Sequence, residues 1–176
     1  SDVLTKEYID TVRGNTMVQI ITDSSTLITV AEGKEMGIDV LPLCVNIMDE
    51  DYRDLQVDMD DFYGKIAKGG IPKSSQPPVG EYVEAFKAHA GKKILNIAMA
   101  HGLSGTYQSA CGAKEIADNK DDIEVFNTRT LCGPHRYMVE KALSMANAGA
   151  TMEEILRTLE ECRDNCHSYL IVQDFD

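Results

Sequence analysis

Ile94-Leu95-Asn96-Ile97-Ala98-Met99-Ala100-His101-Gly102-Leu103-Ser104-Gly105-Thr106-Tyr107-Gln108-Ser109-Ala110 reads as a buried strand, a tight glycine turn and the start of a helix. The apolar run from Ile94 to Met99 suits the interior of a parallel sheet, and Gly102 and Gly105 permit the sharp reversal after it. Ser104 is expected to cap the helix that follows. A junction of this kind is a ready anion site. The N–H groups at a helix N-terminus, with the hydroxyls of Ser104 and Thr106 beside them, solvate a carboxylate or phosphate without a cation. The same residues also fit a plain reading in which Ser104 only caps and the glycines only turn the chain.

Working outward, strands alternate with helices. Val18 to Thr22 reads as a strand running into Asp23-Ser24-Ser25, followed by a short helical stretch ending near Gly37 and an extended run from Ile38 to Met48. Met59, Phe62, Tyr63, Ile66 and Ala67 recur at helical spacing, as do Val79, Tyr82, Val83 and Phe86, and these aromatics are expected in the core. Ile123 to Phe126 reads as a further strand and Pro134 to Ala146 as a helix. Thr151-Met152-Glu153-Glu154 is a capping box that opens another helix, and Tyr169-Leu170-Ile171-Val172 reads as a last strand. The alternation predicts an α/β fold with a mainly parallel sheet and helices on both faces.

In open sheets of this type ligands sit outside the carboxyl ends of the strands. Asp23-Ser24-Ser25 and His101 to Ser104 both lie at such ends, and the proline-bounded loop Ile71-Pro72-Lys73-Ser74-Ser75-Gln76-Pro77-Pro78 can reach the same edge. Residues 1–16 read as an N-terminal extension with Leu4, Tyr8 and Val12 on one helical face. Residues 17–176 read as the domain.

The chain has 176 residues, 43% of them hydrophobic, which suffices for one full core but not for two. A net charge of -12 argues against nucleic acid and anionic membrane surfaces, because binding either begins with attraction of phosphate to a basic face. An acidic protein that takes an anion must do so locally, with N–H groups and hydroxyls in a water-poor cleft. No run has the length of a membrane span and the first residues lack a signal peptide's apolar core, so a cytoplasmic location is expected, without membrane insertion. Five cysteines without framework-like spacing fit reduced thiols. Cys162 and Cys166 lie one helical turn apart beside His167, yet Cys162 continues the apolar stripe of Ile155, Leu156 and Leu159. The other Cys/His pair, Cys132 with His135, is distant in sequence, so no metal and no cofactor is expected.

Taken together, Asp23-Ser24-Ser25, Ser74-Ser75-Gln76-Pro77 and Leu103-Ser104-Gly105-Thr106-Tyr107-Gln108-Ser109-Ala110 strongly resemble the DegV family, whose members bind fatty acids. The resemblance runs from about Val18 to the end of the chain and includes a Val40-Leu41-Pro42-Leu43 strand and an Asp51-Tyr52-Arg53-Asp54 turn in the expected order. It implies a DegV-like N-terminal lobe, with the family's second lobe absent from this sequence and the lipid lying between the two. It also implies that Ser74, where the family usually has threonine, and Ser104 bind the fatty acid carboxylate. Ser24, Ser75, His101, Gly105 and Thr106 would support them. His101 stands, with Ala100, where the family commonly has two serines. It is read as a solvated loop histidine, the other reading being a charge-assisted donor.

Two classes of function follow. The first is a binding module similar to the lipid-presenting subunit of bacterial fatty acid kinase, which holds a long-chain fatty acid while a separate kinase subunit phosphorylates it, and in which this chain performs no chemistry. With one cleft wall uncovered, such a chain is expected to self-associate. The second is a serine hydrolase, with Ser104 at a strand-to-helix turn and His101 close by. The nucleophile-elbow pattern wants glycine two residues after the serine, where this chain has Thr106, and His101 begins on the wrong side of a tight turn to act as its base. The binding module is the preferred reading.

Overall fold

A computed structural model describes residues 18–26, 28–53, 64–71, 73–98, 105–129 and 134–173. The expected N-terminal extension, with its Leu4, Tyr8 and Val12 face, lies outside the described residues, as do Met59, Phe62 and Tyr63.

Four strands, β1 (Val18–Asp23), β2 (Asp39–Leu41), β6 (Lys93–Ala98) and β7 (Ile123–Asn127), form a parallel sheet in the order β2-β1-β6-β7. The period-two alternation of strand side chains divides their apolar residues between two faces. Val18, Ile20, Leu95, Ile97 and Phe126 enter one buried cluster, which α4 (Pro134–Asn147) and α5 (Met152–Gln173) close with Met138, Val139, Ile155 and Leu159. Ile21, Ile94 and Ile123 enter the other. There α2 (Val79–Ala88) contributes Tyr82 and Phe86, and α3 (Thr106–Ile116) contributes Ala110 and Ala113. Helices on both faces of a parallel sheet make the fold α/β, and the central strands are buried on both sides, hence their nearly unbroken apolar sequence.

The short helix α1 (Val30–Met36) connects β1 to β2 and shows why its glycines are where they are. A Cβ on Gly33 would lie 2.6 Å from Val40 Cγ2, so only glycine lets the helix approach β2 this closely. Gly37 ends the helix in the left-handed region at φ 81°, the usual conformation of a glycine stop. The capping box at α5 is formed as the sequence predicts. The Thr151 hydroxyl accepts from Glu154 N–H at 3.2 Å and the Glu154 carboxylate from Thr151 N–H at 3.3 Å.

Three features depart from the sequence reading. The extended run Ile38 to Met48 is broken at Pro42-Leu43, and its second half, β3 (Cys44–Ile47), leaves the parallel sheet. It forms the centre of a three-stranded antiparallel sheet with β4 (Glu50–Arg53) and β5 (Lys73–Ser75). The hairpin turn is Met48-Asp49, both at positive φ, as a two-residue turn matched to strand twist requires. Asp51 to Arg53 are therefore strand rather than turn, and the Val40 to Leu43 strand ends at Leu41. Likewise the proline-bounded loop contains β5. A three-residue edge strand is about as much as flanking prolines leave room for.

The last departure is at the far end, where α5 runs through Tyr169-Leu170-Ile171-Val172 instead of giving way to a strand. A four-residue apolar run does not distinguish helix from strand by itself. This one continues a helix already fixed on the core by Ile155 and Leu159. Of the aromatics expected in the core, Tyr82 and Phe86 are fully buried.

Candidate ligand site at the sheet switch point

The sheet changes winding direction between its two central strands. β1 leads through α1 to β2 on one side, and β6 leads through α3 to β7 on the other. Connections that leave neighbouring carboxyl ends in opposite directions open a crevice there. Its two edges are the turn after β1 and the start of α3.

The first edge is closely knit. After Asp23 the chain makes one 3-10 turn, Ser24–Thr26. Asp23 and Ser24 are each only 1% exposed. The Ser24 hydroxyl accepts from Leu43 N–H at 3.0 Å, bracing the turn against the chain after β2. Thr26 donates to the Asp23 carbonyl at 3.1 Å and accepts from Ile28 N–H at 3.2 Å. The Asp23 carboxylate accepts from Ser25 N–H at 2.9 Å and also from the Ser25 hydroxyl. On its other side Ser25 Oγ lies 2.8 Å from Nδ1 of His135, a buried side chain in the first turn of α4. His135 Nε2 faces the Ile97 carbonyl at 3.3 Å and Thr22 Oγ1 at 3.4 Å. Thr22 donates to the same carbonyl at 2.9 Å.

The second edge leaves polar groups unpaired. α3 begins at Thr106, and the cap position belongs to Gly105, which offers no side-chain cap. The cap expected of Ser104 is thus one residue displaced. The first helical bond runs from Ser109 N–H to the Gly105 carbonyl at 2.7 Å, so the N–H groups of the first turn have no partner within the helix. Thr106 is fully buried, and its hydroxyl has no hydrogen-bond partner among the described residues. The Gln76 side chain lies against Gly105, since a Cβ there would sit 3.5 Å from the amide carbon and nitrogen. Gln76 directly follows β5, whose backbone is held by the pairings Val45 with Ser74 and Cys44 with Ser75. The Ser74-Ser75-Gln76 segment and the start of α3 therefore converge.

Four more buried polar atoms lack partners among the described residues, the Tyr82 hydroxyl, the Asn96 side-chain nitrogen, Arg53 Nε and the Thr128 hydroxyl. Asn96 and Ile94 share one face of β6, the face that α2 and α3 cover. Burial, then the charges of Asp23 and Glu81, push the Tyr82 phenol above its ordinary range, so it remains a proton donor. Buried polar atoms are nearly always paired in a finished structure, so an unpaired one such as the Thr106 hydroxyl at a helix start marks a place where water or a ligand can belong.

Of the residues the sequence marks, Gly105 and Thr106 are at this edge, and Ser74 and Ser75 reach it through β5 and Gln76. Ser24 braces the opposite edge. Ser104 and His101 lie outside the described residues, Ser104 being the immediate neighbour of Gly105. Sequence reasoning missed the roles of Ser25, His135 and Tyr82. A polar residue inside an apolar strand, Asn96, was the one sequence signal of a buried polar group without a partner among the described residues. Cys162 packs against the core beside Leu156, in line with its apolar stripe, and both ring nitrogens of His135 face protein oxygens. Among the described residues no group of three or more His, Cys, Asp or Glu side chains could hold a metal, and no helix is long and apolar enough to cross a membrane.

A family model described as "Uncharacterised protein, DegV family" matches residues 17–176. Protein DegV of Bacillus subtilis is 31% identical over 163 residues, covering 89% of this chain and 57% of that protein. The crystal structure of DegV, a fatty acid binding protein from Bacillus subtilis, superposes with a TM-score of 0.72 at 29% identity, covering 85% of this chain and 54% of that one. A Thermotoga maritima protein whose structure reveals fatty acid binding function superposes at 0.70 with 29% identity, covering 83% of this chain and 55% of that one. The chain thus spans a little over half the length of the relatives it matches. With the α/β fold and the crevice at the switch point, these matches establish that the chain belongs to the DegV family.

Proposed function

We propose that this chain binds a long-chain fatty acid, with the carboxylate at the crevice between the turn after β1 and the start of α3. The observation that carries the reading is the start of α3, where Gly105 offers no side-chain cap, the buried Thr106 hydroxyl has no partner among the described residues and Gln76 brings the Ser74-Ser75 segment alongside. A carboxylate there is solvated by first-turn N–H groups and by hydroxyls, which needs no cation and suits a chain of net charge -12. Ser74 and Ser104 are the hydroxyls assigned to it. The acyl chain extends from the crevice over a wall that a second lobe would cover. Until covered, that wall favours self-association.

The chain orients the acid and leaves the chemistry to another protein in the cytoplasm, the catalytic subunit of a fatty acid kinase. There a carboxylate oxygen attacks the terminal phosphorus of ATP, forming an acyl phosphate and releasing ADP. The fatty-acid-binding relatives support the ligand class, and a site outside the carboxyl ends of the strands supports presentation of the carboxylate.

Organic extraction of protein purified from a bacterial host, followed by mass spectrometry, tests the reading. A stoichiometric long-chain fatty acid, lost on Ser74→Ala, is expected. Absence of any acid from a version of the chain continued to the length of its relatives would overturn it. So would Ser104-dependent turnover of short acyl esters, which favours the hydrolase.

A further inference from the structure

We propose that Arg53 is a positioning residue, clamping the antiparallel sheet to α2 and so fixing the Ser74-Ser75-Gln76 segment against the start of α3. The guanidinium at the end of β4 donates to both oxygens of the Glu81 carboxylate, from Nη1 at 2.6 Å and from Nη2 at 2.7 Å. Nη2 also donates to the Pro42 carbonyl at 2.7 Å. Glu81 stands in the first turn of α2, and Pro42 is where the chain leaves β2 for β3. One side chain therefore holds the antiparallel sheet both to the stretch that leads into it from β2 and to the helix that follows β5.

Between these anchors runs the segment that reaches the crevice. Across the sheet, Arg53, Cys44 and Ser75 stand in one row, since Cys44 pairs with Arg53 on one side and with Ser75 on the other. Backbone pairing thus carries the placement of Arg53 to the last residue of β5. Only Gln76-Pro77-Pro78 separates Ser75 from α2, and proline rings stiffen this bridge, Pro78 lying at φ −59°. A bridge so short takes its course from its two ends, and Arg53 ties both. Gln76, its first residue, is the one whose amide lies against Gly105.

The side chains of Arg53 and Glu81 are 32% and 36% exposed, and water screens charges this accessible, which limits what the pair adds to stability. The fork supplies direction instead. Two parallel hydrogen bonds fix both the separation and the angle of β4 relative to α2, which a single point charge on a flexible stem does not. The effect of the clamp on a bound acid rests on the function proposed above, whereas its effect on Gln76 does not.

Arg53→Lys keeps the charge and loses the fork, and Glu81→Gln keeps the shape and loses the charge. Nitrogen-15 backbone spectra of the two variants and of the double variant, on the 176-residue chain without lipid, test the clamp. The amides of Gln76 and Gly105 are expected to shift in each single variant, with those of β6 unmoved and no further shift in the double, because either change alone opens the clamp. Unmoved Gln76 and Gly105 amides in Arg53→Lys, or shifts that simply add in the double variant, overturn the proposal. Calorimetric titration of palmitate into the same proteins carries the test to the ligand. Affinity should fall about tenfold in either single variant, the scale of one lost hydrogen bond, and no further in the double. An affinity unchanged in Arg53→Lys overturns the positioning role. A parent chain that takes up no palmitate counts against the function proposed above, and the amide shifts of the lipid-free chain then decide the clamp.

Discussion

The two edges of the crevice are built from similar residues and end in opposite states. At the turn after β1, the polar side chains of Thr22, Asp23, Ser24, Ser25, Thr26 and His135 all engage protein atoms. At the start of α3, Thr106 is equally buried and its hydroxyl meets nothing among the described residues. Burial of a polar group is favourable only when its hydrogen bonds are made. The first edge is therefore a frame, stabilised by what it already holds, and the second is receptive, with its hydrogen-bonding capacity kept in reserve.

The largest effect that would break this comparison concerns the acyl chain. Each methylene left in water forgoes about 0.8 kcal/mol, so covering about four more with a second lobe strengthens binding by roughly 200-fold. Calorimetric titration of a fatty acid into this chain and into a version continued to the length of its relatives measures the difference. Equal affinities would mean that this lobe encloses its ligand unaided, and the crevice would not be one wall of a larger site.

A smaller effect separates the edges by its sign. Ser24→Ala leaves the buried Leu43 N–H without its acceptor and should destabilise the fold by about 1–3 kcal/mol. Thr106→Val removes a hydroxyl that has no partner among the described residues while keeping the β-branched shape. It should leave stability unchanged or raise it by up to about 1 kcal/mol, yet weaken fatty acid retention. Denaturant midpoints and lipid content of the two variants check this. Destabilisation of similar size in both would show that Thr106 is structural after all.

The frame of the fold was readable because its signals are local. Ile94 to Ala98 is an unbroken apolar strand with Asn96 as its only polar residue, Val79 to Phe86 shows helical spacing, and Thr151 with Glu154 spells out its own cap. What escaped reading depends on partners elsewhere in the chain. Ile38 to Met48 looks continuous in sequence, but Pro42 interrupts it and the two halves pair in different sheets. Tyr169 to Val172 is too short to declare its own structure, and the helix before it prevails. The cap assigned to Ser104 falls on Gly105, a shift of one residue that capping preferences alone do not resolve. His135 had no legible role, since its meaning arises when α4 docks beside a serine from the turn after β1, and no sequence spacing encodes that contact. The resemblance marked the segments of Ser74 and Thr106, which the fold brings toward one edge through β5, Gln76 and Gly105. It did not show that the other edge closes on itself.

On the proposed function, the carboxylate occupies the receptive edge and leaves the frame undisturbed. Titrating a long-chain fatty acid into nitrogen-15-labelled protein and following the backbone amides tests it most directly. Gly105, Thr106, Tyr107 and the segment around Gln76 are expected to shift together in proportion to bound ligand, while Ser25 and the His135 ring hold their positions. Shifts centred on the turn after β1 with the start of α3 silent would contradict it.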